Sequence, residues 1–279
     1  MVTDTKTDIL SKVEKLPPLP GAMLDLLRSF NNEDINVAEL AKKVGRDPLL
    51  TARVLKVVNS PFYGLDGAVS SLPEAVMVLG FSNVRSLALV ASLTGAFPMQ
   101  SHGAANPRRL WIHSFCCAIC AQLLAARTQV DAETAFTAGL LHDIGRIAML
   151  ALCPAQFAEA LALKAEQGIG LGTAEEQVLG INHAAFGARL MERWRLPEPL
   201  VRAVEFHHAP DIEPTSRLTD LINLSNTLAH ACVHHTLPQF IAAEAPNGAI
   251  MRLGLTRTAC AEALDTVDSQ LTSISAVLG

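Results

Sequence analysis

Gly139-Leu-Leu-His142-Asp143-Ile-Gly145-Arg146 is the stretch on which the reading of this chain turns. It reads as a buried helix that ends on an adjacent His-Asp pair and then stops at Gly145. Neighbouring helical residues point about 100° apart, yet at a helix end both side chains can reach one ion in a cleft. An imidazole beside a carboxylate suits a borderline first-row metal such as iron, manganese or zinc. The competing reading is a capping Asp beside a core His. A lone dipeptide favours that reading, so the pair gains meaning only from its surroundings.

Those surroundings are rich in histidine. Eight of the nine histidines lie after residue 112. His113 starts a helix face that continues through Cys117, Cys120 and Leu124, at i, i+4, i+7 and i+11, so it points at a core or a cleft. His183 follows Asn182, a good N-cap, and so sits in a first helical turn. His207 and His208 close a helix whose inner face is Leu200, Ala203 and Val204. Helices that bring histidines to one His-Asp pair are what a helical metal site requires.

The rest of the chain supplies such helices. Apolar residues recur at helical spacing in Leu50, Val54, Val57, Val58, in Leu72, Ala75, Val76, Leu79, and in Leu190, Met191, Trp194. Ser71 with Glu74, and Thr173 with Glu176, read as capping boxes, and Asn36 with Glu39 as a polar variant. Asp131 reads as an N-cap, and Gly80, Gly145 and Gly168 as C-terminal stops. Strand signals are essentially absent. The expectation is an all-α protein of about a dozen helices, since helices average about 11–12 residues. The polar, Pro- and Gly-containing stretch 98–107 divides it into an N-terminal helical part, residues 1–100, and a C-terminal part, residues 108–279. Breaks are expected after His208, near Pro238 and near Asn247-Gly248.

Composition narrows the function classes. Half of the residues are hydrophobic and 18% are charged, so a sizeable core is available and intrinsic disorder is excluded. Lys and Arg number 22 against 27 Asp and Glu, and the net charge of −5 disfavours sequence-independent nucleic-acid binding. The start carries no charged-then-apolar leader. The longest apolar runs, Ser86 to Phe97 and Ile147 to Cys153, are shorter than the roughly 20 residues a bilayer needs. A soluble, cytoplasmic protein without membrane contact is expected. Six cysteines in so long a chain do not suggest a disulfide framework.

Across about residues 16–208 the chain resembles the HDOD family, a branch of the HD phosphohydrolase superfamily related to HD-GYP domains. The resemblance rests on Leu16-Pro-Pro-Leu-Pro20, Asp47-Pro48, Val58-Asn59-Ser60, Ala75-Val76 and Leu79-Gly80. It continues with Trp111-Ile-His113-Ser, the His142-Asp143 stretch, His183 with Gly187, Trp194-Arg-Leu-Pro197 and His207-His208. It implies an all-α fold, with an HD-like helical core preceded by an N-terminal helical bundle. It also implies a signalling or output module, whose enzymatic activity is not established for the family.

In catalytic relatives the metal ligands are a first His, the HD pair, later histidines and a final Asp. His113, His142, Asp143, His183, His207 and His208 match these positions. Asn226 takes the place of the final Asp, and Asp220 lies six residues away. Arg109 falls where some catalytic relatives carry an acid. Arg146 follows the turn where the phosphodiesterases have Lys, and it could contact a phosphate. One divalent metal (iron, manganese or zinc) is expected at His142, Asp143, His183 and His207 or His208, and a second ion is harder to hold with Asp143 as the one clear bridging carboxylate.

Other features have plainer readings. Cys116, Cys117 and Cys120 read as small buried thiols packing a helix interface, not as a zinc cluster on one helix. His230, His234 and His235 read as residues that follow a helix and cap its C-terminal end, not as ligands. Residues 37–56 resemble a helix-turn-helix with Lys42, Lys43, Arg46, Arg53 and Lys56 on a basic face, better read as a solvated surface. Leu16 to Pro20 reads as a rigid lead-in.

The resulting expectation is a stand-alone, non-catalytic regulatory module acting through a signalling protein partner. With no receiver or cyclase domain beside it, its input would come in trans. A nucleotide or cyclic dinucleotide is a candidate ligand. The first alternative is a metal-dependent phosphohydrolase, in which Arg146 would steady the phosphate. The second is a DNA-binding regulator through residues 37–56.

Overall fold

The computed structural model describes residues 9, 11, 44–45, 48–59, 69–80, 84, 88, 106–209, 211, 216–234 and 247–277. The Leu16–Pro20 lead-in, Asn36 with Glu39, Lys42, Lys43, Arg46, Pro238 and His235 lie outside them. Twelve helices are described, and no strand occurs among the described residues. The all-α expectation holds. The chain divides into two compact units, Leu19–Ala96 with Asp265–Gly279, and Met1–Pro18 with Phe97–Leu264.

In the first of these units, α1 is Pro48–Val58 and α2 is Leu72–Leu79. Val54 and Val58 are buried on α1, and Leu72, Ala75 and Val76 on α2, as their spacing requires. The Asn59 amide donates to Val69 O at 2.7 Å and accepts from Val69 N at 3.0 Å. That gives the Asn beside Val58 a structural task. Ser71 caps α2 by accepting from Glu74 N, while the Glu74 carboxylate reaches back one residue further, to Ser70 N at 2.8 Å.

The other unit carries the histidines. Its helices are α3 Pro107–Ala125, α4 Ala132–Leu141, α5 Ile144–Leu152, α6 Pro154–Gln167, α7 Leu171–Leu179, α8 His183–Arg193, α9 Glu198–Phe206, α10 Arg217–His234 and α11 Asn247–Leu253. A twelfth, α12, runs Arg257–Val277. Helix α3 is buried along nearly its whole length and packs on α4 and α10. Helix α8 packs on both α5 and α9.

Cap chemistry sets several boundaries. Asp131 accepts from Thr134 N at 2.7 Å to start α4, and Asn182 accepts from Ala185 N at 2.9 Å to start α8. Gly168 ends α6 at φ 66°, the left-handed conformation that favours glycine.

Two sequence expectations are corrected. Thr173 lies inside α7, whose N-cap is Gly170 without a side-chain cap bond. The chain does not stop at Gly145, which belongs to the first turn of α5. The boundary expected near Asn247-Gly248 is the start of α11, and a further break falls at Gly254, φ 69°. The stretch Ala132–Leu152 is long and apolar enough to cross a membrane by length and composition, but 83% of its most apolar window is buried inside the protein. A two-residue turn at His142-Asp143 interrupts it.

All six cysteines are free and buried. Burial pushes the Cys117 and Cys120 thiols well above the ordinary value, and the contact with Cys232 raises Cys116. They pack helix interfaces, as their spacing on one face indicates.

Candidate metal centre

The glycines around the His-Asp pair explain why four helices can meet there. A Cβ at Gly139 would sit 2.7 Å from Ala118 Cα, so only glycine lets α4 lie this close to α3. A Cβ at Gly145 would collide with His183 O and come 2.8 Å from Gly187 N, so α5 and α8 touch backbone to backbone. The first approach carries His142 toward His113, and the second carries Asp143 toward His183.

The turn itself presents the acid. Asp143 has φ −101° and ψ 16°, the bridge region where many active-site residues sit. It is the N-cap of α5, yet its carboxylate makes no cap bond and is free to point inward. The α5 N-terminus beneath it favours the negative charge.

Five imidazoles face this carboxylate. Oδ1 lies 3.4 Å from His183 Nε2 and 3.8 Å from His207 Nε2. Oδ2 lies 3.6 Å from His142 Nε2, 3.7 Å from His113 Nε2 and 2.6 Å from Arg146 Nη1. His208 Nε2 is 2.9 Å from His183 Nε2, and His113 Nε2 is 2.9 Å from Asn226 Oδ1 and 3.2 Å from His142 Nε2. His113, His142, Asp143, His183, His207 and Asn226 are all buried, while His208 stands at the rim.

Outer contacts settle which nitrogen faces the centre. His142 Nδ1 donates to Gly139 O at 2.7 Å, and His207 Nδ1 donates to Val204 O at 2.7 Å. His183 Nδ1 lies 2.5 Å from Glu175 Oε2, which also accepts from His183 N at 2.8 Å. Carbonyls and carboxylates accept only, so each Nδ1 carries the proton and each Nε2 offers a lone pair inward. His208 Nε2–H then donates to His183. His113 Nε2–H donates toward His142 and Asn226.

Burial, reinforced by neighbouring rings, holds His113 and His207 well below the ordinary imidazole value. Burial likewise lowers His142, and lowers His208 to about 4. Burial alone would raise the Asp143 carboxyl. The Arg146 guanidinium, with His142, His183 and His113, reverses this and holds it well below the usual carboxylate range.

This donor set fits a divalent first-row metal. Asp143, His183, His207 and His208 place one ligand atom each within 4.8 Å of one another, and so do His113, His142 and Asp143. His207 Nε2 is buried with no hydrogen-bond partner, a cost that an ion would remove. The anchored Nδ1 groups are the outer contacts that metal-binding histidines normally make.

The structure brings together every residue the sequence singled out for the centre: His113, His142, Asp143, His183, His207, His208, Asn226 and Arg146. It excludes Asp220, whose carboxylate is bound by Arg252 Nε at 2.9 and 3.0 Å. It also adds two residues. His230 does not follow a helix but lies within α10, one turn after Asn226, with its ring 4.4 Å from that of His113. Glu175 is fully buried behind His183. A cavity of about 490 Å³ opens beside the centre, lined by Arg146, Lys164, Asn182, His183, His208 and His230 among others.

Residues 16–210 match the model of the HDOD domain. An uncharacterized protein of Treponema pallidum is 27% identical over 208 residues, 74% of this chain and 40% of that protein. The chain thus spans less than half the length of that relative. Two solved structures cover nearly the whole chain. One, "Putative phosphohydrolase" from Shewanella amazonensis, is 30% identical, with TM-score 0.80 over 97% of this chain and 98% of that one. The other, an HDOD domain protein of unknown function from Geobacter sulfurreducens, is 25% identical, with TM-score 0.79 over 99% and 98%. With most of its length matched by the domain model, and with the His-Asp turn at its centre, the chain belongs to the HDOD domain family.

Proposed function

We propose that this chain is a metal-binding regulatory module, non-catalytic, whose state is passed to a signalling protein partner. The observation that carries the reading is the ligand balance. Five imidazoles converge on the single carboxylate of Asp143, and the neutral amide of Asn226 stands beside His113. Such a centre can hold an ion. It has little of the anionic charge that supports the two-ion clamp usual in phosphodiester hydrolysis. Asp143, His183, His207 and His208 would hold iron, manganese or zinc, with His113 and His142 adjoining. A nucleotide or cyclic dinucleotide is the candidate ligand for the neighbouring cavity.

The second reading is phosphoester hydrolysis, favoured by the cavity that opens onto His183 and His208 and by the Shewanella phosphohydrolase-named relative. In such chemistry a bound metal would supply Lewis acidity. Arg146, which lines the cavity, would then turn from Asp143 to a phosphate.

One experiment separates the two. Protein purified without chelator or histidine tag is assayed for metal by plasma mass spectrometry and for turnover of bis-p-nitrophenyl phosphate, beside the His142→Ala, Asp143→Ala double variant. Bound metal that the double variant loses, without turnover, supports the regulatory reading. Turnover that the variant abolishes overturns it in favour of hydrolysis.

A further inference from the structure

The centre divides at Asp143. Oδ1 serves the half that holds His183, His207 and His208. Oδ2 serves the half that holds His113, His142 and Asn226, and it is already taken by Arg146 Nη1 at 2.6 Å. The two halves differ in charge and in readiness.

In the first half, His183 is backed by the buried Glu175, so two carboxylates bear on one position. His207 Nε2 points into the centre with no hydrogen-bond partner. His183 and His208 there pair with each other at 2.9 Å, so His207 is the open donor. In the second half the other donors among the described residues are neutral, and each of them already has a partner. His113 Nε2 meets both Asn226 Oδ1 and His142 Nε2. Among the described residues the one anionic atom there is Asp143 Oδ2, which the guanidinium neutralises.

We propose that the centre is built for one ion, seated among Asp143, His183, His207 and His208, and that Arg146 occupies Asp143 Oδ2 in the place of a second. The inference rests on the metal reading above and goes further, because it gives Arg146 a task at Asp143 Oδ2 and closes the other half to a second ion. A fixed side-chain cation on Oδ2 repels an incoming dication. The amide of Asn226 withholds the anionic ligand that would overcome that repulsion. The two residues act together, so altering both should open the second position.

The test is manganese stoichiometry by equilibrium dialysis and plasma mass spectrometry, with electron paramagnetic resonance to tell isolated from spin-coupled manganese. Thermal melts confirm that each variant folds. The proposal expects one manganese per chain, with an uncoupled signal. His207→Gln and His183→Gln should weaken binding tenfold or more, and His113→Gln by less than threefold. Arg146→Ala combined with Asn226→Asp should bind two ions and show coupling. Two ions in the unaltered protein overturn the proposal, as does a folded double variant that still binds one. Loss of the ion in His113→Gln but not in His207→Gln overturns the choice of half while leaving the metal reading intact. No ion in any variant overturns the metal reading itself.

Discussion

Glu175 and His183 meet twice: one carboxylate oxygen accepts from both the backbone N–H, at 2.8 Å, and the ring Nδ1, at 2.5 Å. The contact fixes the ring, its tautomer and the start of α8 together. Outer-shell acids of this kind typically tune metal affinity by about 10–100-fold. Glu175→Gln keeps the shape and removes the charge. Its manganese affinity, measured against a competing chelating dye, should fall by roughly that factor. Unchanged affinity would sink the role given to Glu175.

Gly145→Ala should damage the fold more than the small change suggests. The added methyl meets His183 O and Gly187 N, both backbone atoms that cannot rotate away. Overpacking of this kind costs about 1–3 kcal/mol. The thermal midpoint should drop by roughly 2–4 °C for each kcal/mol. A midpoint at or above that of the unaltered protein would refute the close approach of α5 and α8.

The metal-free protein should weaken in mild acid. Burial holds His113, His142 and His207 below their ordinary value of 6.5, and His208 down to about 4. Below pH 6.5 the unfolded chain takes up protons that the fold refuses, so the unfolded state gains. The stabilisation is full above pH 6.5 and is lost as the pH falls toward 4. Asp143, held low, adds its own loss below the ordinary carboxylate value of 3.8. Thermal midpoints from pH 7.5 to 4.5 should decline mainly below 6.5, and a flat profile would contradict the burial of neutral rings.

All six thiols should resist a thiol reagent in the native protein. Thiolates are the reactive form, and burial disfavours them at Cys116, Cys117 and Cys120. Absorbance with dithionitrobenzoate at pH 8 should report little fast reaction until denaturant releases six equivalents. Rapid native labelling of any one would show it exposed.

Asp220 supplies a control. It is buried and bound by Arg252, which also reaches Asp211 at 2.8 Å. Asp220→Asn should cost about 1 kcal/mol in a denaturant titration, a modest figure because Arg252 is partly exposed. Metal content should stay unchanged. A loss of metal would mean that the carboxylate of α10 serves the centre after all.

Much of the centre was legible because its residues carry local signals. Asn182 marks the start of α8 and so places His183 in a first turn. Leu200, Ala203 and Val204 mark the buried face that ends at His207. Other parts were hidden by the limits of local pattern. Gly145 looks like a stop, and nothing local reveals that α8 arrives there from far along the chain. His230 reads as a residue beyond a helix end because α10 runs further than its local pattern indicates, although the i+4 spacing from Asn226 is visible in the sequence. Glu175 is a carboxylate buried by tertiary contact, and a neighbouring Thr-to-Glu spacing drew attention to Glu176 instead. That spacing lost to Gly170, where the helix begins without a side-chain cap.

The turn that breaks Ala132–Leu152 has one more consequence. Read by hydropathy alone, this stretch passes for a bilayer span. Asp143 and Arg146 lie near its middle, where an insertion machinery would meet a penalty of about 2.5–3.5 kcal/mol for each charge. The carboxylate that gathers the histidines and the guanidinium paired with it therefore also mark this segment against partition into lipid. Neutralising both, as Asp143→Ala with Arg146→Ala would, strips the centre and removes that mark in one step.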